Sequence, residues 1–324
     1  MALGVLRLVL ALSVLYSHTE NYPYGHNTGV VAVIGFFLIS GFVMTALCEK
    51  YYYHLRSVPT FYADRLLRLY PQYLVYIIGG AILAAVGPDR YQVSVRDVII
   101  NLLIFWYEVS VWILPHKFFL EQTWTLGLEV AFYAVIPFIF IFRLSVIALL
   151  LSATFFLLPY FGLLDTDLWG YRQLPGTLFI FITGSFIYRN FNGLFSLIVP
   201  CVWTYAFVLL IGTYVWPELN VLYNRDVLTG FVVFVPILQV LRRQPIVRLD
   251  RMIGDLSYGV FLNHTLIIYV IRWCGVRYFG AYAIAIAVVS SLVLSALTYG
   301  FVERPILEFR HNWLRRRLGE RPQG

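Results

Sequence analysis

The sequence contains few charged residues and few cysteines. Asp, Glu, Lys and Arg make up 13% of its 324 residues, about half of the fraction usual in soluble proteins, which argues against a soluble globular domain. The three cysteines, Cys48, Cys201 and Cys274, are far apart and form no C-x-x-C pair. Neither a disulfide framework nor a metal site is therefore expected. Internal repeats, low-complexity tracts and a second soluble domain are not found either, so we expect one domain.

Apolar and aromatic residues dominate the composition. Hydrophobic residues account for 60% and aromatic residues for 18% of the chain, and the mean hydropathy is +0.77. Apolar runs close to the ~20 residues that cross a bilayer as a helix recur along the sequence. The short alternating segments of a transmembrane barrel are not seen. We predict an all-α, polytopic membrane helical bundle with aromatic residues concentrated at the membrane interfaces.

Ten apolar segments are predicted as transmembrane helices. They lie at about 3–17, 30–47, 70–86, 120–142, 144–162, 174–188, 194–216, 227–241, 253–273 and 281–302. No Ala-x-Ala-like cleavage site follows the first segment, so we interpret it as a retained helix rather than a signal peptide. The expected organisation is one membrane domain, 1–313, and a short basic cytoplasmic tail, 314–324, whose arginines at 315–317 contact anionic lipid.

The segment 98–114 is apolar, but it contains Asn101 and Glu108 and ends before Pro115. If it does not cross and the N-terminus is cytoplasmic, 17 of the 24 Lys and Arg residues lie inside and 7 outside. If it crosses, 10 lie inside and 14 outside. The positive-inside rule favours the first arrangement. We therefore predict about ten spans, both termini in the cytoplasm, and a re-entrant or interfacial helix at 98–114.

Ionisable side chains within the apolar segments predict functional sites, because each costs about 2.5–3.5 kcal/mol on insertion. Arg7 and His18 are eleven residues apart in the first helix, so they project from nearly the same face, close to opposite ends. Glu129 lies near the middle of the fourth helix. The structural alternatives are an anchoring Arg7 with an interfacial His18, and a neutral Glu129 hydrogen-bonded between helices.

Other polar residues stand within helices or at helix ends. Arg65 and Arg68, spaced i, i+3, suit bidentate phosphate binding, or else anchor the adjoining loop to the membrane. Ser40 is followed by glycine, a small-residue step that permits close approach of another helix or a ligand. Taken alone, His264 is most simply an interhelical hydrogen bonder. Glu303 either pairs with Arg65 or Arg68 or faces water.

These residues fall into six motifs. The motifs are Arg7-x10-His18, Phe37-Leu-Ile-Ser40-Gly-Phe42, Arg65-x-x-Arg68 followed by Leu-Tyr-Pro, Trp124-Thr-Leu-x-x-Glu129-x-x-Phe-Tyr, Ser257-Tyr-Gly…His264 and Glu303-Arg-Pro305. In this order they resemble the membrane acyltransferase-3 family, and the resemblance covers essentially the whole chain. One departure is Phe261-Leu-Asn-His264, where the family has Tyr-x-x-His.

The resemblance implies a bacterial inner-membrane O-acyltransferase that moves an acyl group, usually acetyl, from acyl-coenzyme A to a glycan or lipid-linked oligosaccharide. His18 is then the catalytic histidine, which Glu129 orients or stabilises, and Arg7, Arg65 and Arg68 bind the donor. The residues expected to shape the site or contact substrate are Ser40, Trp124, Asn263, His264 and Glu303. Membrane lipid is the other expected partner; no nucleic acid and no metal are expected.

The spacing along the first helix agrees with a coenzyme A donor. The rise from Arg7 to His18 is ~16.5 Å, comparable with an extended pantetheine arm between phosphates and thioester. Intramembrane His, Glu and Arg also suit a proton-coupled secondary transporter or a glycan flippase. Transporters often contain internal repeats and paired broken helices, which are not found in this sequence. Consumption of acetyl-coenzyme A by the purified protein would discriminate between these two classes.

The basic-residue distribution predicts the side of the membrane on which the C-terminus lies. A reporter fused after Pro322 should be active only if it is of the kind that works in the cytoplasm, because 17 basic residues then lie inside. Activity of a periplasmic reporter at the same position would show that the number of spans is odd or the orientation reversed.

Overall fold

The structure is a computed structural model, which describes residues 3–19, 26–87, 92–104, 118–245, 248–276 and 279–318. Within these ranges every regular element is helical. The α-helices are α1 (Gly4–Ser17), α2 (Thr28–Tyr51), α3 (Val58–Val86), α4 (Val95–Leu102), α5 (Trp124–Ile141), α6 (Ser145–Tyr160), α7 (Leu174–Arg189), α8 (Ile198–Val215), α9 (Asn224–Leu241), α10 (Arg248–Trp273), α11 (Ala281–Thr298) and α12 (Arg304–Leu318).

The predicted all-helical fold is confirmed, and each of the ten predicted spans overlaps one of these helices. Among the described residues, six helical segments, those containing α2, α3, α5, α8, α9 and α11, are long and apolar enough to cross a membrane. The apolar helices α1 and α6 are shorter, with 14 and 16 residues. α10 has 26 residues, but polar side chains within it, among them Asn263 and His264, lower its hydropathy.

The segment predicted to be re-entrant or interfacial is described only as far as 104, and 105–114 lie outside the described residues. α4 begins with a capping box: Ser94 Oγ accepts from the Asp97 amide (3.1 Å), and the Asp97 carboxylate accepts from the Ser94 amide (2.9 Å). The buried side-chain oxygen of Asn101 accepts a hydrogen bond from the Phe119 amide (2.9 Å). The backbone carbonyl oxygen of Asn101 accepts one from the Tyr73 hydroxyl of α3. Asn101 therefore joins α4 to its neighbours.

The C-terminal part of the chain differs from the prediction. α11 ends at Thr298, and a π-helical turn, Tyr299–Glu303, leads into α12, which packs against α3. Residues 314–318 of the predicted tail thus continue a helix that begins at Arg304, so no helix ends at 313. The reason is the position of Pro305, which stands in the first turn of a helix, where proline is tolerated.

α2 lies at the centre of the bundle and packs against α1, α7 and α9. Its approach to α7 depends on two glycines. A Cβ on Gly41 would lie 1.8 Å from the carbonyl oxygen of Phe181, and a Cβ on Gly184 would lie 2.1 Å from that of Leu38. The glycine that follows Ser40 therefore permits close helix packing, one of the two roles expected for this step.

α1 packs between α2 and α10. Where α1 and α10 cross, a Cβ on Gly254 would lie 2.8 Å from the Cα atom of Gly4. The Asp250 carboxylate accepts hydrogen bonds from the amides of Gly4 (3.0 Å) and Val5 (2.9 Å). It therefore caps the N-terminus of α1, which has no side-chain cap of its own. These contacts fix the axial position of α1 and thus the position of Arg7.

The peripheral helices expose apolar side chains. α8 presents Val208 and Ile211, and α11 presents Ile286 and Val289, all of them more than one-third exposed. Apolar surface of this extent is rare on soluble monomers and is typical of helices that face lipid. The structure therefore agrees with a multi-pass membrane protein.

The glycine crossing between α2 and α7 predicts a stability effect. Gly41→Ala should lower the thermal unfolding temperature in detergent, because the added methyl group would overlap the backbone of α7. Overpacking of this kind costs about 1–3 kcal/mol. Gly79→Ala in α3 is the matched control, since its Cβ would meet only a Leu266 side-chain atom at 3.5 Å. Equal unfolding temperatures for the two variants would contradict this role of Gly41.

Candidate active site

A cavity of about 540 Å³ lies between α1, α2, α3, α5, α10 and α12. This volume is typical of small-molecule and cofactor sites. The arginines among its described lining residues are Arg7, Arg65, Arg68 and Arg310. Of the residues predicted for the site, the cavity brings together Arg7, Ser40, Arg65, Arg68 and Glu129.

Arg65 and its neighbour Asp64 are both buried in α3. Asp64 Oδ2 accepts hydrogen bonds from the Arg65 guanidinium, and Asp64 Oδ1 accepts from Nε of Arg310 in α12 at 2.5 Å. Arg65 Nη1 also contacts the sulfur of Met44 at 3.8 Å. One buried carboxylate therefore compensates two guanidinium groups.

Arg68 forms an ion pair with Glu303, which is one of the three alternatives expected for that carboxylate. Its guanidinium also lies over the Tyr258 ring, 5.2 Å from the centroid. The Tyr258 hydroxyl donates to the carbonyl oxygen of Leu69 (2.8 Å), which holds this ring in place. Glu303 Oε2 is buried and has no hydrogen-bond partner in the described part of the chain. The charge of Glu303 thus depends on Arg68.

Arg7 lines the cavity from α1. Within the described ranges, no hydrogen bond or ion pair engages its guanidinium. The carboxylates that act on it electrostatically are Glu129, Asp255 and Asp250, with Glu129 the strongest of the three. Arg7 therefore retains its hydrogen-bonding capacity for an anionic ligand.

Glu129 lies on α5 and links two helices. Its Oε1 accepts hydrogen bonds from Ser40 Oγ of α2 (2.8 Å) and from the Tyr133 hydroxyl one turn further along α5 (2.5 Å). The first contact is the interhelical hydrogen bond expected of a structural glutamate. The place of Glu129 in the cavity, within the electrostatic field of Arg7, is that expected of a site residue. Glu129 therefore both bonds between two helices and lines the cavity.

His18 follows the last residue of α1 and is not among the described residues that line the cavity. Its ring centroid lies 5.0 Å from that of His264. The charged residues that act on His18 electrostatically are Glu121, Arg272 and Arg172. Within the described part of the protein, the hydrogen bonds of Glu129 go to Ser40 and Tyr133, so its expected action on His18 stays a prediction.

His264 is fully buried in α10, and its Nδ1 donates to the carbonyl oxygen of Phe261 at 2.7 Å. The interhelical hydrogen bond expected for His264 is replaced by this bond within one helix. A neutral imidazole with its proton on Nδ1 has an acceptor nitrogen at Nε2. Nε2 has no hydrogen-bond partner among the described residues. The ring of His264 lies beside that of His18, with the two centroids 5.0 Å apart.

Phe261 lies between the cavity and this histidine pair. It lines the cavity together with Phe36, at a ring centroid distance of 5.6 Å. Its ring centroid is 6.0 Å from that of His264. Phe261 therefore borders both the cavity and the histidine pair.

Five of the predicted site residues are not among the described lining residues of the cavity: His18, His264, Glu303, Trp124 and Asn263. Trp124 packs against the Tyr171 ring at 4.8 Å, and the Arg172 guanidinium lies 4.7 Å from the centroid of the Trp124 indole. Asn263 is fully buried, and its Nδ2 donates to the carbonyl oxygen of Ser291 in α11 (3.0 Å). Asn263 thus joins α10 to α11, and Trp124 joins the start of α5 to the π-helical turn at Leu168–Arg172.

Sequence reasoning missed Arg310 and Asp250, which both line the cavity. A signal for Arg310 is present, because it follows Glu303 by seven residues, or two helical turns, and so lies near the same helix face. No local pattern marks Asp250, since its role depends on where α10 meets α1.

The apolar helices, which enclose an arginine-lined cavity, are those of a multi-pass membrane protein. The chain belongs to the acyltransferase-3 family, because a family model described as an acyltransferase domain matches residues 2–300. This confirms the resemblance and indicates a membrane acyltransferase. An uncharacterized protein of Aquifex aeolicus (strain VF5) is 24% identical over 215 residues, covering 62% of this chain and 94% of the relative. No solved structure matches.

The Arg68 and Glu303 pair predicts a stability effect that a double variant can isolate. Arg68→Ala should lower the unfolding free energy by about 3 kcal/mol, because it leaves a buried carboxylate without a partner. Combining it with Glu303→Gln should recover most of the loss, as followed by thermal unfolding in detergent. Arg304→Ala is the control, since its ion pair with Glu308 is exposed. A double variant as unstable as Arg68→Ala would contradict this dependence.

Proposed function

We propose that the protein is an O-acyltransferase that moves an acyl group, expected to be acetyl, from cytoplasmic acyl-coenzyme A to a hydroxyl of a cell-surface or exported glycan. The proposal includes about ten spans, cytoplasmic termini and a location in the bacterial inner membrane. One observation carries it: in a member of an acyltransferase family, α1 has an arginine-lined cavity near its start and a pair of histidines at its end.

The cavity suits the phosphates of the donor. Guanidinium groups bind phosphate through charge-assisted and often bidentate hydrogen bonds. With its phosphates at Arg65 and Arg68 and its pantetheine arm passing Arg7 along α1, coenzyme A extends toward His18. The rise between Arg7 and His18 is ~16.5 Å, comparable with the extended arm. The thioester of a donor bound in this way lies near the histidine pair.

In the proposed reaction, His18 acts as the general base. It takes the proton of the acceptor hydroxyl while the hydroxyl oxygen attacks the thioester carbonyl carbon. The carbon–sulfur bond breaks, and the departing thiolate receives the proton from His18. A covalent route is the alternative: an imidazole nitrogen attacks the thioester carbonyl carbon and expels the coenzyme A thiolate. The acceptor hydroxyl oxygen then attacks the acyl carbon, the carbon–nitrogen bond breaks, and the hydroxyl proton passes through the released imidazole to the thiolate.

The neighbours of His18 support these roles. The acceptor nitrogen of His264 can receive a hydrogen bond from the imidazolium form of His18, because the two rings are 5.0 Å apart. Glu129 acts on the donor side, where its charge compensates Arg7. In this proposal Glu129 therefore supports donor binding in the cavity rather than the proton transfer at His18.

His18→Gln tests the proposal. Glutamine keeps hydrogen-bonding capacity but cannot take a proton at neutral pH. General-base catalysis raises a reaction rate about 10²–10⁴-fold. The rate of transfer of a labelled acetyl group from acetyl-coenzyme A should therefore fall at least about 10²-fold. Donor affinity should be unchanged, since the arginines lie at the other end of α1, and a loss of transfer without a loss of binding is the expected signature.

The matched control is the exposed residue His54, whose replacement by glutamine should leave both transfer and donor affinity at the wild-type values. Near wild-type transfer by His18→Gln would exclude base or nucleophilic catalysis by His18. If the wild-type protein neither binds nor consumes acetyl-coenzyme A, the acyltransferase proposal is wrong and proton-coupled transport becomes the explanation. Mass spectrometry of surface glycans from deletion and complemented strains identifies the acceptor.

A further inference from the structure

α12 lies beyond residues 2–300, which the family model matches, yet it contributes to the cavity. Its residue Arg310 is among the described residues that line the cavity. The Arg310 side chain is 11% exposed, whereas the arginines at 315–317 on the same helix are exposed. The Arg310 side chain is therefore directed into the protein, whereas the arginines at 315–317 face outward.

The hydrogen bonds of Arg310 leave part of its guanidinium available. Nε donates to Asp64 Oδ1 at 2.5 Å, and in the described part of the chain the two terminal nitrogens make no hydrogen bond. A guanidinium group has five N–H donors in a planar fork, so one contact leaves four of them. Nearly buried donors of this kind need an acceptor.

The excess positive charge around Asp64 also favours the binding of an anion. Asp64 is fully buried and pairs with both Arg65 and Arg310, so one negative charge serves two positive charges. Arg68 beside them is already paired with Glu303. A phosphate bound at Arg65 and Arg310 would supply the missing negative charge and the missing acceptors together.

We propose that Arg310 is a donor-binding residue, which α12 supplies to hold the 3′-phosphate at the ribose end of acyl-coenzyme A. This inference rests on the proposed function. Arg310 lines the cavity and bonds to Asp64, whereas His18 is not among the described lining residues. The 3′-phosphate is in the half of coenzyme A furthest from the thioester. Asp64 is the positioning residue, because it orients both Arg65 and Arg310.

The test compares two donors on one protein. Binding of acetyl-coenzyme A and of acetyl-3′-dephospho-coenzyme A is measured with the full chain in detergent free of phospholipid. Arg310→Gln should weaken binding of acetyl-coenzyme A about tenfold, which corresponds to about 1.4 kcal/mol. Its affinity for the dephospho donor should equal that of the wild type. A misfolded variant would lose both donors, so the comparison contains its own folding control.

Arg316→Gln is the matched control, because Arg316 is an exposed arginine on the same helix, and it should bind both donors like the wild type. Equal acetyl-coenzyme A affinities for Arg310→Gln and the wild type would overturn the inference while leaving the proposed function intact. An effect seen only in nanodiscs that contain phosphatidylglycerol would assign Arg310 to a lipid phosphate and would also overturn it. A wild-type protein that binds neither donor would instead refute the proposed function.

Discussion

The burial of arginine side chains among apolar helices is the constraint on which the rest of this structure depends. Charged groups in such surroundings require partners, and here the partners come from distant parts of the chain. Arg68 pairs with a carboxylate 235 positions away, and Asp64 pairs with an arginine 246 positions away. These two ion pairs join α3 to the C-terminal segments. The residues that join α3 to α12 and the preceding turn therefore also contribute Arg68 and Arg310 to the cavity lining.

α1 is the element that connects the two halves of the site. It is a short helix, and its N-terminus is capped by Asp250 of α10 rather than by a residue of its own. The glycine contact at the crossing of α1 and α10 allows this close approach. Because a helix rises by a constant amount per residue, fixing the start of α1 also fixes where Arg7 and His18 lie relative to α10. Packing thus determines the depth at which both ends of α1 stand in the bundle.

The phenyl rings of Phe36 and Phe261 line the cavity, and the Phe261 ring also lies beside His264 of the histidine pair. In the proposed reaction the pantetheine arm would pass these rings. Such apolar walls around a thioester also exclude water, which would otherwise compete with the acceptor hydroxyl. The structure thus divides the proposed donor site from the proposed site of chemistry, with Glu129 on the donor side and His264 on the other.

The sequence by itself determined the helical membrane class and the approximate helix positions, which follow from hydrophobic run length, a local property. The cost of charges in apolar helices marked Arg7 and Glu129 as candidate site residues, and the resemblance to the acyltransferase-3 family implied that they share one site with Arg65 and Arg68. The tertiary structure decided that Glu303 pairs with Arg68, that Glu129 bonds to Ser40 and Tyr133, and that Asp250 and Arg310 line the cavity. Such pairings depend on which helices meet and at what depth, and spacing along one helix carries no information about either.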